Sequence, residues 1–83
     1  MMKNFVEMVN VKIEEEVLLT ICIKCGNVNI MNSIVPYSIN VENGIHIKGD
    51  WMNLDVSSDY EISYNEFDDE FTVECENMTI FFS

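Results

Sequence analysis

The stretch INVENGIHI, residues 39–47, decides the fold class of this chain. Apolar residues alternate with polar ones on both sides of Asn43-Gly44, which is the pattern of half-buried strands. Asn-Gly is the preferred pair for a two-residue hairpin turn, because both central positions need positive φ. The stretch therefore predicts an antiparallel hairpin in which Ile45 and Ile47 share the face opposite His46.

The same alternation continues along the rest of the chain. Residues 17–23 are apolar on most of both faces, which predicts an interior strand. Gly26-Asn27 and Gly49-Asp50 mark further turns, and Pro36 marks a bend between two extended pieces. We expect an all-β fold, a small antiparallel sheet or meander of short hairpins, formed by residues 1–83 as a single domain. Further alternating segments are 28–34, 52–56, 60–64, 71–75 and 78–82.

Two segments also fit a helix. At the N-terminus, residues 9, 11 and 13 alternate with polar residues as in a strand, but apolar residues at 2, 5, 9 and 13 also form a helical stripe. In 58–71 the aromatic residues fall at helical spacing, and Ser58 with Glu61 fits a capping box. Ser63 and Asn65 are poor helix-interior residues, so a strand is favoured in 58–71. The alternative fold is therefore α+β, with one helix at the N-terminus or around 58–71 packed on the sheet.

The charges are divided unequally along the chain. Fifteen acids face four lysines and no arginine, which gives a formal net charge of −11. Residues 1–48 hold all four lysines and five acids, whereas residues 49–83 hold ten acids and no lysine or arginine. A chain of this kind is a poor nucleic-acid binder, because neutralising phosphate requires Lys and Arg. Self-repulsion of this size weakens a folded state, which favours a binding use for the negative field. The alternative is a solvated face that keeps a small protein soluble.

The acidic region 50–76 is the predicted partner-binding surface. On a strand Glu70, Thr72, Glu74 and Glu76 share one face, while Phe71 and its alternate neighbours face the core. Such a lattice of carboxylates attracts a basic groove built for nucleic acid. The aromatic residues near this face are candidate anchors, at Trp51, Tyr60, Tyr64 and Phe67. For Tyr60 and Tyr64 a core position is favoured over an anchor role. The predicted binding residues are Asp50, Trp51, Asp55, Asp59, Glu61, Glu66, Asp68, Asp69, Glu70, Glu74 and Glu76.

In its size, its uncompensated acids from Asp50 to Glu76 and its lack of a catalytic motif, the chain resembles the small acidic anti-defence proteins of phages and mobile elements. The nearest class is the anti-CRISPR and anti-restriction proteins of the DNA-mimic type. The resemblance implies a non-enzymatic inhibitor that occupies the nucleic-acid site of a host effector nuclease, in the cytoplasm of the host cell if the chain is phage-encoded. It rests on composition and covers no defined motif.

An immunity protein that neutralises a basic nuclease toxin is the first alternative, since it would use the same electrostatics. A small structural or zinc-stabilised module of a virion or assembly is the second. Cys22-Ile23-Lys24-Cys25-Gly26 is similar to half of a zinc-ribbon knuckle, and a structural zinc needs four ligands. The only set available is Cys22, Cys25, His46 and Cys75, whose spacing is irregular. We therefore expect Cys22 and Cys75 to be small core residues, with no metal and no other cofactor.

The remaining expectations follow from composition. No apolar run approaches the roughly 18 residues of a membrane span, and no signal peptide opens the chain, so a cytoplasmic protein is predicted. Three cysteines without a signal peptide indicate free thiols. A small sheet leaves open edges, which allows a homodimer through edge pairing or through an uncovered apolar face.

Overall fold

The computed structural model describes residues 1–83, and it contains one helix followed by eight strands. The helix, α1, spans Met2–Glu15. The strands are β1 (Leu19–Cys25), β2 (Val28–Ile34), β3 (Pro36–Asn40), β4 (Ile45–Gly49), β5 (Asn53–Val56), β6 (Glu61–Asn65), β7 (Glu70–Glu74) and β8 (Thr79–Phe82).

The strands form two antiparallel sheets. The larger has five strands in the order β2-β1-β8-β7-β6, and the smaller has three in the order β3-β4-β5. The chain passes from one sheet to the other within Ile34-Val35-Pro36, at the bend predicted from proline. Strand β1 lies between β2 and β8, which confirms that the apolar segment 17–23 leads into an interior strand. The predicted antiparallel β architecture is therefore confirmed, in its form with a helix.

The N-terminal segment is a helix because its apolar residues form one stripe that the sheets bury. Phe5 and Val9 are fully buried, whereas Val11, which a strand would have placed beside Val9 on the core face, is 50% exposed. The Phe5 ring packs edge-on against the Phe71 and Phe82 rings, at centroid distances of 5.5 and 4.9 Å. The helix ends at Glu16, which adopts the left-handed conformation of a C-cap.

The hairpin predicted at Asn43-Gly44 is present, but its loop is longer than two residues. Both residues have positive φ, 56° and 119°. The ladder between β3 and β4 closes at Asn40 and His46, so the connection spans residues 41–44. Asn40 accounts for the extra length, because its Oδ1 accepts a hydrogen bond from the Glu42 N–H at 2.8 Å and turns the chain early. Gly44 is required there, since a Cβ would collide with the Val56 carbonyl oxygen.

The segment 58–71 is extended, so the helix considered there is wrong. Strands β6 and β7 pair in register from Glu61 with Glu74 to Asn65 with Glu70. The aromatic spacing that suggested a helix arises from residues on different parts of this hairpin. Tyr64 and Phe71 are cross-strand partners, while Phe67 lies in the turn between them.

One cluster of thirteen buried apolar residues joins α1 to both sheets. It includes Ile45 and Ile47, as the hairpin pattern predicted. No helix in the structure has both the length and the apolar character needed to cross a membrane.

Candidate functional site

The acidic hairpin, defined here as residues 59–76, consists of β6, β7, the turn between them and the two flanking connections. It contains eight acids and no lysine, arginine or histidine. It lies at the edge of the five-stranded sheet farthest from β2. The eight acids are Asp59, Glu61, Glu66, Asp68, Asp69, Glu70, Glu74 and Glu76.

Alternation along the strands sends carboxylates and apolar groups to opposite faces. Phe71 and Val73 are buried, whereas Glu70, Thr72 and Glu74 face outward, as the sequence predicted. Glu61 pairs directly with Glu74 across the ladder, so the two side chains lie on the same face. Glu76 does not continue this row, because β7 ends at Glu74 and the chain turns back between residues 75 and 78.

The turn of the hairpin is built by Asn65. Its Oδ1 accepts hydrogen bonds from the Phe67 N–H at 3.0 Å and the Asp68 N–H at 3.4 Å, and its Nδ2 donates to Asp68 Oδ2 at 3.1 Å. Asp69 closes the turn in the left-handed conformation, with φ of 50°. This geometry projects Phe67 from the tip with 93% of the residue exposed, between acidic neighbours on both sides.

Tyr64 connects the turn to the sheet. Its hydroxyl donates to Asp69 Oδ1 at 2.7 Å, and its ring lies 4.9 Å from the Phe71 ring. The hydrogen bond to Asp69 is the largest cause of a raised Tyr64 pKa, followed by desolvation and the charges of Asp69 and Glu66. The phenol therefore stays protonated at neutral pH and continues to donate to Asp69, which fixes one carboxylate oxygen of the turn.

A groove of about 320 Å³ runs between α1 and the acidic hairpin. Met8, Tyr64 and Phe71 supply apolar walls, and Asp69 and Asn4 supply polar groups. One carboxylate oxygen of Asp69 is bound by Tyr64, which leaves the other with no protein donor. An apolar slot with a carboxylate suits a long cationic side chain, whose aliphatic stem packs while its charged end pairs.

Three of the predicted binding residues lie on the three-stranded sheet instead. Asp50 has a structural role, since its Oδ1 accepts a hydrogen bond from the Val35 N–H at 3.3 Å. Asp55, on β5, lies 2.7 Å from His46 Nδ1 in the one ion pair of the structure. Trp51 is exposed in the turn between β4 and β5. The contiguous region 50–76 is therefore divided between two sheets, and eight of its ten acids form the acidic hairpin.

The aromatic anchor candidates differ in exposure. Tyr60 packs against the core, in agreement with the core role preferred for it. Tyr64 lies on the core side of the edge strand but remains exposed, so its ring is accessible from the groove. Phe67 is the most exposed of the four candidate anchors, although a large apolar residue between strands is ordinarily buried.

The cysteines and the histidine are not brought together. Cys22 and Cys25 lie on β1, whereas His46 lies on β4 of the other sheet, and all three thiols are free. No group of three or more His, Cys, Asp or Glu residues has an arrangement that could hold a metal ion. Cys75 is partly buried against the core, as expected, and this burial raises its pKa. Cys22 departs from its expected core role, because it lines a shallow depression on the outer face of the sheet. The other lining residues are Lys24, Met31, Glu70 and Phe81.

Comparison of the chain with protein-family models, curated proteins and solved structures finds no match.

Proposed function

We propose that this protein is a non-enzymatic inhibitor whose acidic hairpin binds a basic nucleic-acid-binding site of another protein. The proposed partner is an effector nuclease of host defence, and the site of action is the cytoplasm. Inhibition is by occupancy, because carboxylates on the hairpin take the place of phosphates in the partner's groove. The observation that carries the proposal is the acidic hairpin, with its eight acids, no cation and one exposed aromatic tip.

The charge density of the hairpin supports this role. Glu61 and Glu74 are directly opposed, with Cβ atoms about 5 Å apart, while Glu70 and Glu74 are about 13 Å apart along β7 with Thr72 between them. Duplex DNA carries one charge per roughly 1.7 Å of axis over two strands, so the hairpin, with eight acids in eighteen residues, presents a sparser form of the charge that a basic groove is built to hold. No lysine forms an ion pair with the acidic hairpin, since the only ion pair in the structure lies on the other sheet. Lys24 is the one cation that shares its outer face, where it lines a shallow depression with Glu70.

Charge complementarity gives fast association and excludes wrong partners more than it adds affinity, and two apolar features supply contacts that add affinity. The Phe67 ring at the tip is almost fully exposed to solvent, so it is suited to insertion into a pocket on the partner. The groove beside Tyr64 and Asp69 suits an arginine of the partner, whose guanidinium pairs with the free Asp69 oxygen and stacks on the Tyr64 ring. The proposed interface therefore consists of the Phe67 ring, the groove beside Tyr64 and Asp69 for an arginine of the partner (the arginine slot), and the surrounding carboxylates of the acidic hairpin.

The proposal is tested by capturing partners from a host lysate on the immobilised chain at about 50 mM and about 500 mM NaCl. A nuclease is expected in the low-salt eluate, and excess duplex DNA should displace it. The triple variant Glu66→Lys/Glu70→Lys/Glu74→Lys should lose it. These three acids make no side-chain hydrogen bond in the structure, so their reversal leaves the turn intact.

The matched control is Glu7→Lys/Glu14→Lys/Glu15→Lys, which makes the same charge change on exposed positions of α1. This control should retain the nuclease. Equal loss in both triple variants would show a non-specific charge effect and would contradict the proposal. Retention in 500 mM salt, or retention in the presence of excess DNA, would contradict it as well.

The arginine slot has its own variant, Asp69→Asn. Asn tolerates the left-handed conformation and can still accept from Tyr64, so only the charge is removed. We expect about tenfold weaker binding of the captured nuclease. If that nuclease is a toxin encoded beside this chain rather than a defence effector, the protein is an immunity protein that uses the same surface.

A further inference from the structure

The sheets have four edge strands, and three of them carry features that discourage pairing with another chain. Strands β6 and β5 contain an acid, Glu61 and Asp55 respectively. Strand β3 begins with Pro36, has an irregular register with β4 and lies beside α1. Charges, proline and bulges are the usual protections of an open edge.

Strand β2 has none of these protections. Its sequence VNIMNSI contains no charge, no proline and no glycine over seven residues. Its register with β1 is continuous from end to end. Val28, Ile30 and Met31 are 58%, 47% and 71% exposed, so both faces of the strand present apolar side chains to solvent. A long, uncharged, apolar edge of this kind is a template for strand addition.

We propose that β2 pairs antiparallel with β2 of a second copy of this chain, which gives a two-fold symmetric dimer with a continuous ten-stranded sheet. This contact is independent of the proposed inhibitory function. A strand that pairs antiparallel with itself meets the two-fold requirement that the same patch serve both subunits.

The register follows from the turn before β2. Gly26 has φ of 60°, and Cys25 pairs with Val28, so the β1–β2 connection is a two-residue turn with glycine first. Cys25 and Val28 then exchange hydrogen bonds, and bonding alternates along the ladder. The N–H and C=O groups of Asn29, Met31 and Ser33 consequently point away from β1.

Met31 is the midpoint of β2, so the two-fold axis passes beside it. Met31 of each copy exchanges hydrogen bonds with its counterpart, and Asn29 pairs with Ser33 on both sides. The Met31 side chain lies in the same cross-strand row as Cys22 and Phe81, so the two methionines extend this outer-face row from one subunit to the next.

The charge distribution identifies a second copy, rather than a basic protein, as the occupant. Strand β2 and the acidic hairpin lie at opposite edges of the sheet. In the dimer the two acidic hairpins are separated by at least seven strand spacings, or about 34 Å. The Debye length at physiological salt is about 8 Å, so their repulsion is screened at this contact. A basic partner is attracted to the hairpins, which leaves the neutral edge for self-association.

The test is sedimentation of the full chain from about 10 µM to about 1 mM, because a seven-residue edge is at the small end of specific interfaces. We expect the mass to rise from the 9.6 kDa monomer toward twice that value. Met31→Lys should remain monomeric throughout, while the matched control Ser63→Lys, on the opposite edge strand, should still dimerise. Circular dichroism checks that both variants fold.

Amide exchange on the unmodified chain provides an independent measurement. Protection of the Asn29, Met31 and Ser33 amides should rise with protein concentration, whereas Ile30 and Asn32 should be protected at every concentration. A mass of 9.6 kDa up to about 1 mM overturns the proposal. So does a dimer that persists in Met31→Lys, or concentration-independent exchange at residue 31. None of these outcomes bears on binding by the acidic hairpin, so the two proposals fail separately.

Discussion

Glu61 and Glu74 are direct cross-strand partners on the outer face of the acidic hairpin. Like charges in this arrangement destabilise a sheet, because their Cβ atoms are only about 5 Å apart. Both side chains are exposed, and neither has a cationic partner. Burial of Phe71 and Val73 on the inner face therefore stabilises the hairpin and offsets the charge repulsion on its outer face. A surface that weakens its own fold in this way is typical of a binding site.

Replacing Glu61 by Lys should stabilise the protein. The change removes a like-charge pair and creates an opposite-charge pair with Glu74, which we expect to raise the unfolding free energy by about 0.5 kcal/mol. Urea denaturation at low salt measures the gain, and about 1 M NaCl should remove most of it by screening. Glu61→Gln is the control, with a smaller gain. A loss of stability, or a gain that does not respond to salt, would contradict this account of the pair.

Phe67→Ala should separate binding from stability. Phe67 is 93% exposed and makes no core contact, so its removal should change the unfolding free energy by less than about 0.5 kcal/mol. If its ring is the central anchor, affinity for the captured nuclease should fall about tenfold or more. Isothermal titration calorimetry with that nuclease measures the loss.

Tyr37→Ala is the matched control for Phe67, since Tyr37 is an exposed aromatic on the other sheet. It should bind as tightly as the unmodified chain. Equal affinity of the Phe67 variant and the unmodified chain would remove the aromatic anchor from the proposed interface and leave only charge.

The His46–Asp55 pair makes stability depend on pH near neutrality. The hydrogen bond to Asp55 is the largest cause of a raised His46 pKa, and partial desolvation opposes it without cancelling it. A raised folded-state pKa means that protonation favours folding. The contribution is complete below the unfolded value of about 6.5, and it disappears as the pH rises through the folded pKa.

The unfolding free energy should therefore decline as the pH rises from about 6.5 through the raised folded-state pKa of His46. His46→Gln should flatten this decline, and Asp55→Asn should lower the His46 pKa measured by NMR titration. An NMR pKa at or below 6.5 for His46 in the unmodified protein would show that Asp55 does not stabilise the imidazolium.

The alternation of apolar and polar residues was sufficient to predict most of the strands, because this two-residue period does not depend on which element covers the sheet. It predicted the outward row of Glu70 and Glu74 for the same reason. It could not place Asp50 and Asp55, since strand order is set by contacts distant in sequence and separates them from the acidic hairpin. Phe67 was among the candidate anchors, but its place at the tip could not be predicted, because it depends on the hydrogen bonds by which Asn65 builds the turn.

In the N-terminal segment the spacing of apolar residues does not decide between a helix and a strand. Residues 5, 9 and 13 fit a helical stripe, and residues 9, 11 and 13 fit a strand. The choice depends on whether Phe5 or Val11 is buried, and Phe5 is selected because Phe71 and Phe82 together form an aromatic site for it. Propensity did not decide between them, since the segment lacks Ala and has no side-chain N-cap.

Phe5→Ala should consequently cost more than any other change on α1. The ring is fully buried, with edge-on contacts to two aromatic rings, and truncations of this kind cost about 3–5 kcal/mol. A domain of this size has a similar total unfolding free energy. The variant should therefore be largely unfolded at 37 °C by circular dichroism, or unfold at a much lower urea concentration.

Val11→Ala, at a half-exposed position of the same helix, should lower the unfolding free energy by less than about 1 kcal/mol. Phe5→Leu, which keeps most of the buried volume, should fall between them, because the aromatic contacts are lost but the helix still fills its site. If Val11→Ala proved the more damaging of the two alanine variants, the buried stripe of the helix would have to be reassigned, and with it the register of α1 against the Phe71–Phe82 pair.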